Sequence, residues 1–106
     1  MTAFFLFDVR HIRDEDTLAE YRRQVFETVE RFGGRYRVLG GPFEVLEGEW
    51  APVIPVLIEF PTVERARQWY ESDVYRPLRD LRLRAADCSG VLIEGFEHVP
   101  ETSGGR

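Results

Sequence analysis

One arginine in the last predicted helix is placed where its charge could do chemistry. A single helix face, at spacings of three and four residues, carries Tyr75, Leu78, Arg82 and Ala85. Because the other members of this face are largely apolar, we expect Arg82 to lie in the interior. A buried guanidinium needs an anionic partner, since removing its charge from water is costly. That partner is either a carboxylate of the protein, which makes Arg82 part of the scaffold, or the carboxylate of a ligand, which makes it an anion clamp.

Two carboxylates interrupt otherwise apolar strands, Asp8 in the first and Glu59 in the third. Two such groups in one pocket can serve as general acid and general base. The two strands should be antiparallel neighbours, and each carboxylate lies toward the C-terminal end of its strand. The two side chains should therefore be separated along the sheet by about three to four residues, or ~10–13 Å. That separation is too long for a shared proton. The alternative is that each is a rim residue that pairs with Arg10, Arg35 or Arg37.

Aromatic side chains could line a small apolar pocket between the sheet and the helices. The same helical spacing is also typical of an ordinary core, so both interpretations of Tyr21, Trp69 and Tyr70 stay open. No catalytic residue can be assigned. The complete set of candidate pocket residues is Asp8, Tyr21, Arg35, Glu59, Trp69, Tyr75 and Arg82.

A metal or cofactor site is not expected. His11 and His98 each follow a predicted strand, and neither has a second histidine or a cysteine at ligand spacing. Cys88 is the only cysteine, which excludes a disulfide framework and a cysteine-based zinc site. We therefore expect no metal, no cofactor and a reducing, cytoplasmic setting.

Length and charge narrow the function classes. The 106 residues correspond to one domain, which we place at residues 1–99, with residues 100–106 as a disordered tail. The net charge of −5 argues against nucleic-acid binding, which requires neutralisation of phosphates. The apolar first residues have no basic segment before them and are followed at once by Asp8 and Arg10. We therefore expect them to form neither a signal peptide nor a membrane span.

The hydrophobic periodicity predicts the element order β-α-β-β-α-β with an added hairpin arm. Strands are predicted over residues 3–10, 35–39, 54–60 and 91–97, the arm over residues 43–47, and helices from Asp14 or Asp16 to Gly33, from Thr62, and from Ser72 to about Ala86. This order is that of an α+β, ferredoxin-like fold, an antiparallel sheet with its helices on one face. Three of the strands are apolar on both faces, so a second copy of the chain is expected to cover the face without helices.

Several different short motifs are distributed along most of the chain. They are Gly33-Gly34-Arg35-Tyr36, Gly40-Gly41, Leu46-Glu47-Gly48, Ile58-Glu59-Phe60, Trp69-Tyr70, Tyr75 and Arg82. This set, which spans about residues 3 to 97, resembles a family of small domains of unknown function, numbered 1330, in the dimeric α+β barrel superfamily. The resemblance implies two sheets that close into one barrel across a two-fold axis. The family commonly has an arginine where this chain has Leu39, and Arg37 could take its place.

Three functions remain open. The first is a small cytoplasmic homodimer that binds a small, partly apolar or anionic metabolite. The second is a cofactor-free enzyme on a small organic substrate, because the superfamily that the chain resembles includes monooxygenases, isomerases and lyases. The third is a structural or interaction module without a ligand. A cavity lined by Trp69, Arg82 and a carboxylate favours the first two, whereas a solid core with Arg82 fully paired favours the third.

Overall fold

The computed structural model describes residues 1–97. Its elements are β1 (Ala3–Ile12), α1 (Glu15–Arg31), β2 (Arg35–Leu39), β3 (Pro55–Phe60), α2 (Val63–Tyr70), α3 (Arg76–Ala85) and β4 (Ala86–Glu94). The strands form one antiparallel sheet in the order β2-β3-β1-β4, and the helices pack on one of its faces. The predicted ferredoxin-like fold is therefore confirmed. The predicted boundary at residue 99 and the predicted tail lie outside the described residues.

Local sequence signals set both ends of α1. The Asp14 carboxylate accepts hydrogen bonds from the backbone N–H of Thr17 at 3.2 Å and from its hydroxyl at 2.7 Å, which satisfies a free donor of the first turn. At the other end, Gly33 follows the last turn with φ of +80°. Only glycine adopts this left-handed conformation without strain, so the chain turns here into β2.

The core lies between the helices and the inner face of the sheet. Phe5 and Phe60 pack there around Trp69, which is fully buried. The indole N–H of Trp69 donates to the Thr28 hydroxyl oxygen at 3.0 Å, so the one polar atom of the ring is satisfied inside the core. The ring of Tyr75 lies 4.0 Å from that of Trp69, measured between centroids. This aromatic cluster fixes α2 and α3 on the sheet.

The hairpin arm that the sequence predicted over residues 43–47 does not form. Residues 41–54, here called the connecting segment, contain no strand, and Leu46 and Trp50 are 82% and 66% exposed. The alternation of apolar and acidic residues favoured a strand, but no neighbouring strand among residues 1–97 supplies backbone partners for one. Pro42 and Pro52 also lack the N–H group that a ladder requires.

Two further boundaries differ from the prediction. β4 begins at Ala86 and not at residue 91, because residues 86–89 pair with the end of β1 although their composition does not favour strand. Similarly, α3 begins at Arg76 and not just after Ser72. The Ser72 hydroxyl accepts the N–H of Tyr75 at 3.2 Å, so it caps the turn that precedes the helix.

The outer face of the sheet is apolar and bare. The side chains on it are Phe4, Leu6, Leu57, Val91 and Ile93, which alternate with the inward-facing residues of β1, β3 and β4. No helix within residues 1–97 packs on this face, and Val91 and Ile93 are about half exposed. We call these five residues the outer patch.

Candidate functional site

A cavity of about 290 Å³ lies between the inner face of the sheet, α1 and α3. Its walls are mostly aliphatic and aromatic, with Phe7 of β1 and Ile58 of β3 on the sheet side. Its polar groups are few and come from Tyr21, Arg22, Tyr36 and Arg82. A mainly apolar cavity with a small number of convergent polar groups is typical of a small-molecule site.

Arg82 is only 5% exposed, as the helix pattern predicted. Its Nε atom donates to the hydroxyl oxygen of Tyr75 at 3.3 Å, and its guanidinium carbon lies 4.9 Å from the centre of the Phe7 ring. No Asp or Glu among residues 1–97 forms an ion pair with it. The scaffold interpretation, in which a protein carboxylate neutralises this charge, therefore finds no partner in the described chain.

Tyr75 connects Arg82 to the cavity wall. Tyr75 is fully buried, and its hydroxyl oxygen lies 3.1 Å from that of Tyr21, which lines the cavity. The two rings meet edge to face with centroids 6.3 Å apart. Side chains from α1 and α3 are thus joined by hydrogen bonds at one end of the cavity.

The charges of these groups at neutral pH follow from their surroundings. Burial raises the pKa of Tyr21, and the neighbouring Tyr75 raises it further. Burial likewise raises the pKa of Tyr75 and of Tyr36. Burial acts to lower the pKa of Arg82, but its electrostatic interactions with Tyr75 and Tyr21 and its hydrogen bonds to Tyr75 and Cys88 more than offset this, and the pKa rises. The cavity lining therefore carries the buried charge of Arg82, the exposed charge of Arg22 and neutral hydroxyl groups.

Asp8 does not line this cavity. One of its carboxylate oxygens accepts the N–H groups of Val53 and Ile54, each at 2.9 Å, and the other accepts from Arg10 at 2.6 Å. The two bonds from the Val53 and Ile54 amides hold the end of the connecting segment against β1, and the bond from Arg10 lies within β1. The contacts agree with a structural role for this carboxylate and leave it outside the site.

Glu59 and Arg35 also lie away from the cavity. Glu59 accepts from Nε of Arg37 at 2.6 Å, and Arg35 is exposed on β2 beside it. In the sheet register Asp8 pairs with Pro55, four positions from Glu59. The two carboxylates are separated as the strand geometry predicted, and they do not form an acid–base pair.

The remaining predicted residues are accounted for as follows. Trp69 lies in the core and does not line the cavity, whereas Tyr21 and Arg82 line it and Tyr75 lies directly behind them. His11 is exposed, and His98 lies outside the described residues. Within residues 1–97, no three His, Cys, Asp or Glu side chains are grouped so that they could hold a metal ion.

Sequence reasoning missed two polar residues of the cavity. Tyr36 could have been found from strand alternation, because its exposed neighbours on β2, Arg35 and Arg37, leave it pointing inward. Arg22 gave a weaker signal, at helical spacing between Leu18 and Phe26 on α1. Neither residue interrupts an apolar run, which is the pattern that identified Asp8 and Glu59 as candidates.

No helix of the described chain is long and apolar enough to cross a membrane. The profile of the family described as "Domain of unknown function (DUF1330)" matches residues 2–96. A search of curated proteins found no match.

Solved structures share the fold. A protein of unknown function from Rhodopseudomonas palustris is 21% identical with a TM-score of 0.69, over 92% of this chain and 84% of that one. A dimeric protein of unknown function with a ferredoxin-like fold from Bacteroides fragilis is 14% identical with a TM-score of 0.51, over 89% and 96%. SnoaB, a cofactor-independent oxygenase from Streptomyces nogalater, is 12% identical with a TM-score of 0.54, over 94% and 96%. At such identities the likeness shows the fold alone.

Proposed function

Because the chain belongs to DUF1330, a family of domains of unknown function, we propose a function from the cavity itself: it binds a small, largely apolar molecule that carries an anionic group. The observation that carries this proposal is the buried Arg82, whose charge has no carboxylate partner within residues 1–97. An anionic ligand would supply the missing counter-charge to a guanidinium that is itself buried, and a charge-assisted hydrogen bond is strong in such surroundings.

The size and lining of the cavity limit the ligand. A volume of about 290 Å³ lies at the small end of ligand sites and suits a molecule of one or two rings. The aromatic and aliphatic walls would bury the ligand body, while the polar groups, grouped at Tyr21 and Arg82, would fix one end of it. The apolar walls supply affinity and the polar end supplies orientation.

We further propose that the protein acts as a homodimer through the outer patch. A second copy packed sheet against sheet would cover this face, and the Bacteroides fragilis protein of similar fold is described as dimeric. Trp50 of the connecting segment adjoins Leu6 and Val91 at the edge of the outer patch. A partner could therefore cover the exposed apolar side chains of both regions. A cytoplasmic setting and a single domain over residues 1–99 remain predictions.

A cofactor-free enzyme of the monooxygenase, isomerase or lyase type is the alternative. The feature in its favour is the pairing of a buried cation with hydroxyl donors, since such groups can stabilise an oxyanion. Against general-base chemistry stands the lining of the cavity, which contains no Asp, Glu or His among the described residues. Ligand binding therefore has the stronger support.

The test is a comparison of matched ligands by isothermal titration calorimetry. We expect 4-nitrobenzoate to bind the wild-type protein more tightly than the uncharged 4-nitrobenzamide, because only the acid neutralises Arg82. Arg82→Met should abolish this preference, and Arg79→Met, which removes a neighbouring arginine outside the cavity lining, should retain it. Equal binding of the acid and the amide to the wild type, together with no binding of 4-nitrophenolate, would overturn the proposal.

A further inference from the structure

Arg82, Tyr75 and Tyr21 form a chain of hydrogen bonds in which the order of donors and acceptors can be assigned: Arg82 donates to Tyr75, and Tyr75 donates to Tyr21. A guanidinium only donates, so the Tyr75 oxygen is the acceptor of the 3.3 Å bond from Nε. Tyr75 is fully buried, and Tyr21 is the acceptor within reach of its own proton, at 3.1 Å. The reverse direction would leave the Tyr75 proton buried without an acceptor, which is costly. The proton of Tyr21 then remains available to a group inside the cavity.

We infer that this chain makes the Tyr21 hydroxyl a polarised donor beside the Arg82 cation, and that the two together bind the oxyanion of a weak oxygen acid, a phenol or an enol. This inference rests on the proposed function and names its ligand class. Each hydrogen bond in such a chain strengthens the next, because the cation withdraws electron density through Tyr75 from Tyr21. A single anionic oxygen can accept from Tyr21 and from an Nη group of Arg82 at once.

The geometry favours a single-oxygen anion over a carboxylate. An arginine binds a carboxylate in a two-bond fork, either side-on through Nε and one Nη or end-on through both Nη atoms. In this structure Nε of Arg82 is already engaged by Tyr75, and the side chain also hydrogen-bonds Cys88. The side-on fork is closed to a ligand, and the remaining Nη–H groups and the Tyr21 hydroxyl are left. A phenolate or enolate oxygen makes full use of these donors.

The charges around the site favour the ionised form of such a ligand. The groups that face it are Tyr21 and Arg22 from α1, Tyr36 from β2, Tyr75 just before α3, Arg82 from α3, and Cys88 from β4, whose side chain hydrogen-bonds Arg82. None of them is a carboxylate, and Arg22 and Arg82 are cations, so these surroundings favour an anion. A nearby cation stabilises the anion of a weak acid and lowers its pKa. No carboxylate or histidine of the described lining can take the proton, which therefore passes to water.

The test uses 4-nitrophenol, whose ionisation is followed by absorbance, with the intact protein in excess. We expect the apparent pKa of the bound phenol to fall by about one unit or more. Tyr21→Phe and Tyr75→Phe should each remove most of this shift, because each breaks the chain while keeping the ring. Tyr70→Phe is the matched control, since it removes a tyrosine hydroxyl outside the cavity lining. A cyclic 1,3-diketone tested in parallel distinguishes enols from phenols: the same shift supports the enol, and a shift confined to 4-nitrophenol supports the phenol.

Three other results would overturn the inference. If the fall in the pKa of the bound phenol survives in Tyr21→Phe and Tyr75→Phe but disappears in Arg82→Met, the cation acts alone. Tight binding of 4-nitrobenzoate with no shift for either weak acid would also overturn it, and the proposed function would stand. If the wild type binds neither 4-nitrobenzoate nor 4-nitrophenol, the proposed function fails as well. Circular dichroism melting of each variant shows that the fold is retained.

Discussion

The Nε atom of Arg82 donates to the hydroxyl of Tyr75, the residue that precedes α3, at 3.3 Å. A neutral oxygen thus occupies the place where a buried arginine commonly has a carboxylate. Tyr75 satisfies one donor of the guanidinium but leaves its positive charge uncompensated. Arg82 is consequently both a fixed part of the core and a charge available to the cavity.

The first prediction separates these two roles. Arg82→Met should change the free energy of unfolding by no more than about 1 kcal/mol, because the loss of one hydrogen bond and of the contact with Phe7 is offset by relief from burying a charge. Binding of an anionic ligand should weaken by on the order of 2–4 kcal/mol. Urea unfolding and calorimetry measure the two quantities.

Arg79→Met is the control for this variant. Arg79 lies on the same helix and also stacks on an aromatic ring, that of Tyr70, at 4.9 Å. The Arg79→Met substitution should therefore leave ligand affinity unchanged. A fall in the stability of Arg82→Met by on the order of 3 kcal/mol would instead reveal a carboxylate partner and contradict the role as anion clamp.

The burial of Arg82 could be predicted from the sequence, but its partner could not. Helical spacing is local, so the stripe that contains Leu78 and Ala85 was enough to place the side chain inside. Whether a carboxylate reaches it depends on which strands face α3, and this is a property of the tertiary structure. For the same reason Tyr36, from the distant β2, was missed. The arginine partners of Asp8 and Glu59, which are Arg10 and Arg37, are both among the three that the sequence analysis proposed.

The fold was predictable where periodicity and caps agreed, as in α1 between Asp14 and Gly33. It was not predictable where pairing overrides propensity. Residues 86–89 carry no strand signal, yet they form part of β4 because the end of β1 needs a partner on that side. The connecting segment shows the reverse case, in which a strand-like pattern finds no neighbouring strand within residues 1–97.

Asp8 should prove structural. Asp8→Ala removes the acceptor of the Val53 and Ile54 amides and should lower the free energy of unfolding by about 2 kcal/mol. Asp8→Asn retains one carbonyl oxygen at that position and should lose much less. Thermal unfolding compares the two, and equal losses would show that the negative charge matters and the geometry of the acceptor does not.

The outer patch should hold the dimer together. The proposed interface should cover about 1,600 Å² or more in total. Leu57 pairs with Leu6 in the middle of this face, so Leu57→Glu would bury a charge in the interface. Sedimentation velocity should show a dimer for the wild type and a monomer for the variant. Leu83→Glu, a change at an exposed leucine of α3, should remain dimeric. A wild-type monomer at micromolar concentration would contradict the proposal.

Gly33 should tolerate no side chain. Gly33→Val places a β-branched residue at φ of +80°, with its Cβ 3.1 Å from Pro61, and should destabilise the protein by roughly 1–2 kcal/mol or more. Gly41→Val is the matched control, because its φ is not positive and nothing lies within 4 Å of its Cβ. Thermal unfolding midpoints compare the two variants. Equal effects would mean that the left-handed conformation is not the cause.

The buried tyrosines should make the protein sensitive to alkaline pH. Burial raises the pKa of Tyr21 and Tyr75 above the usual 10.0, whereas both titrate near that value in the unfolded chain. Above about pH 10 the unfolded state therefore loses protons that the folded state still holds, so the contribution of these two hydroxyls to the free energy of unfolding is constant below this pH and falls above it. Urea unfolding between about pH 9 and pH 11 measures the decline. The double variant Tyr21→Phe and Tyr75→Phe, normalised to its own stability at neutral pH, should decline less steeply. Equal slopes would show that these hydroxyls are not the groups that titrate.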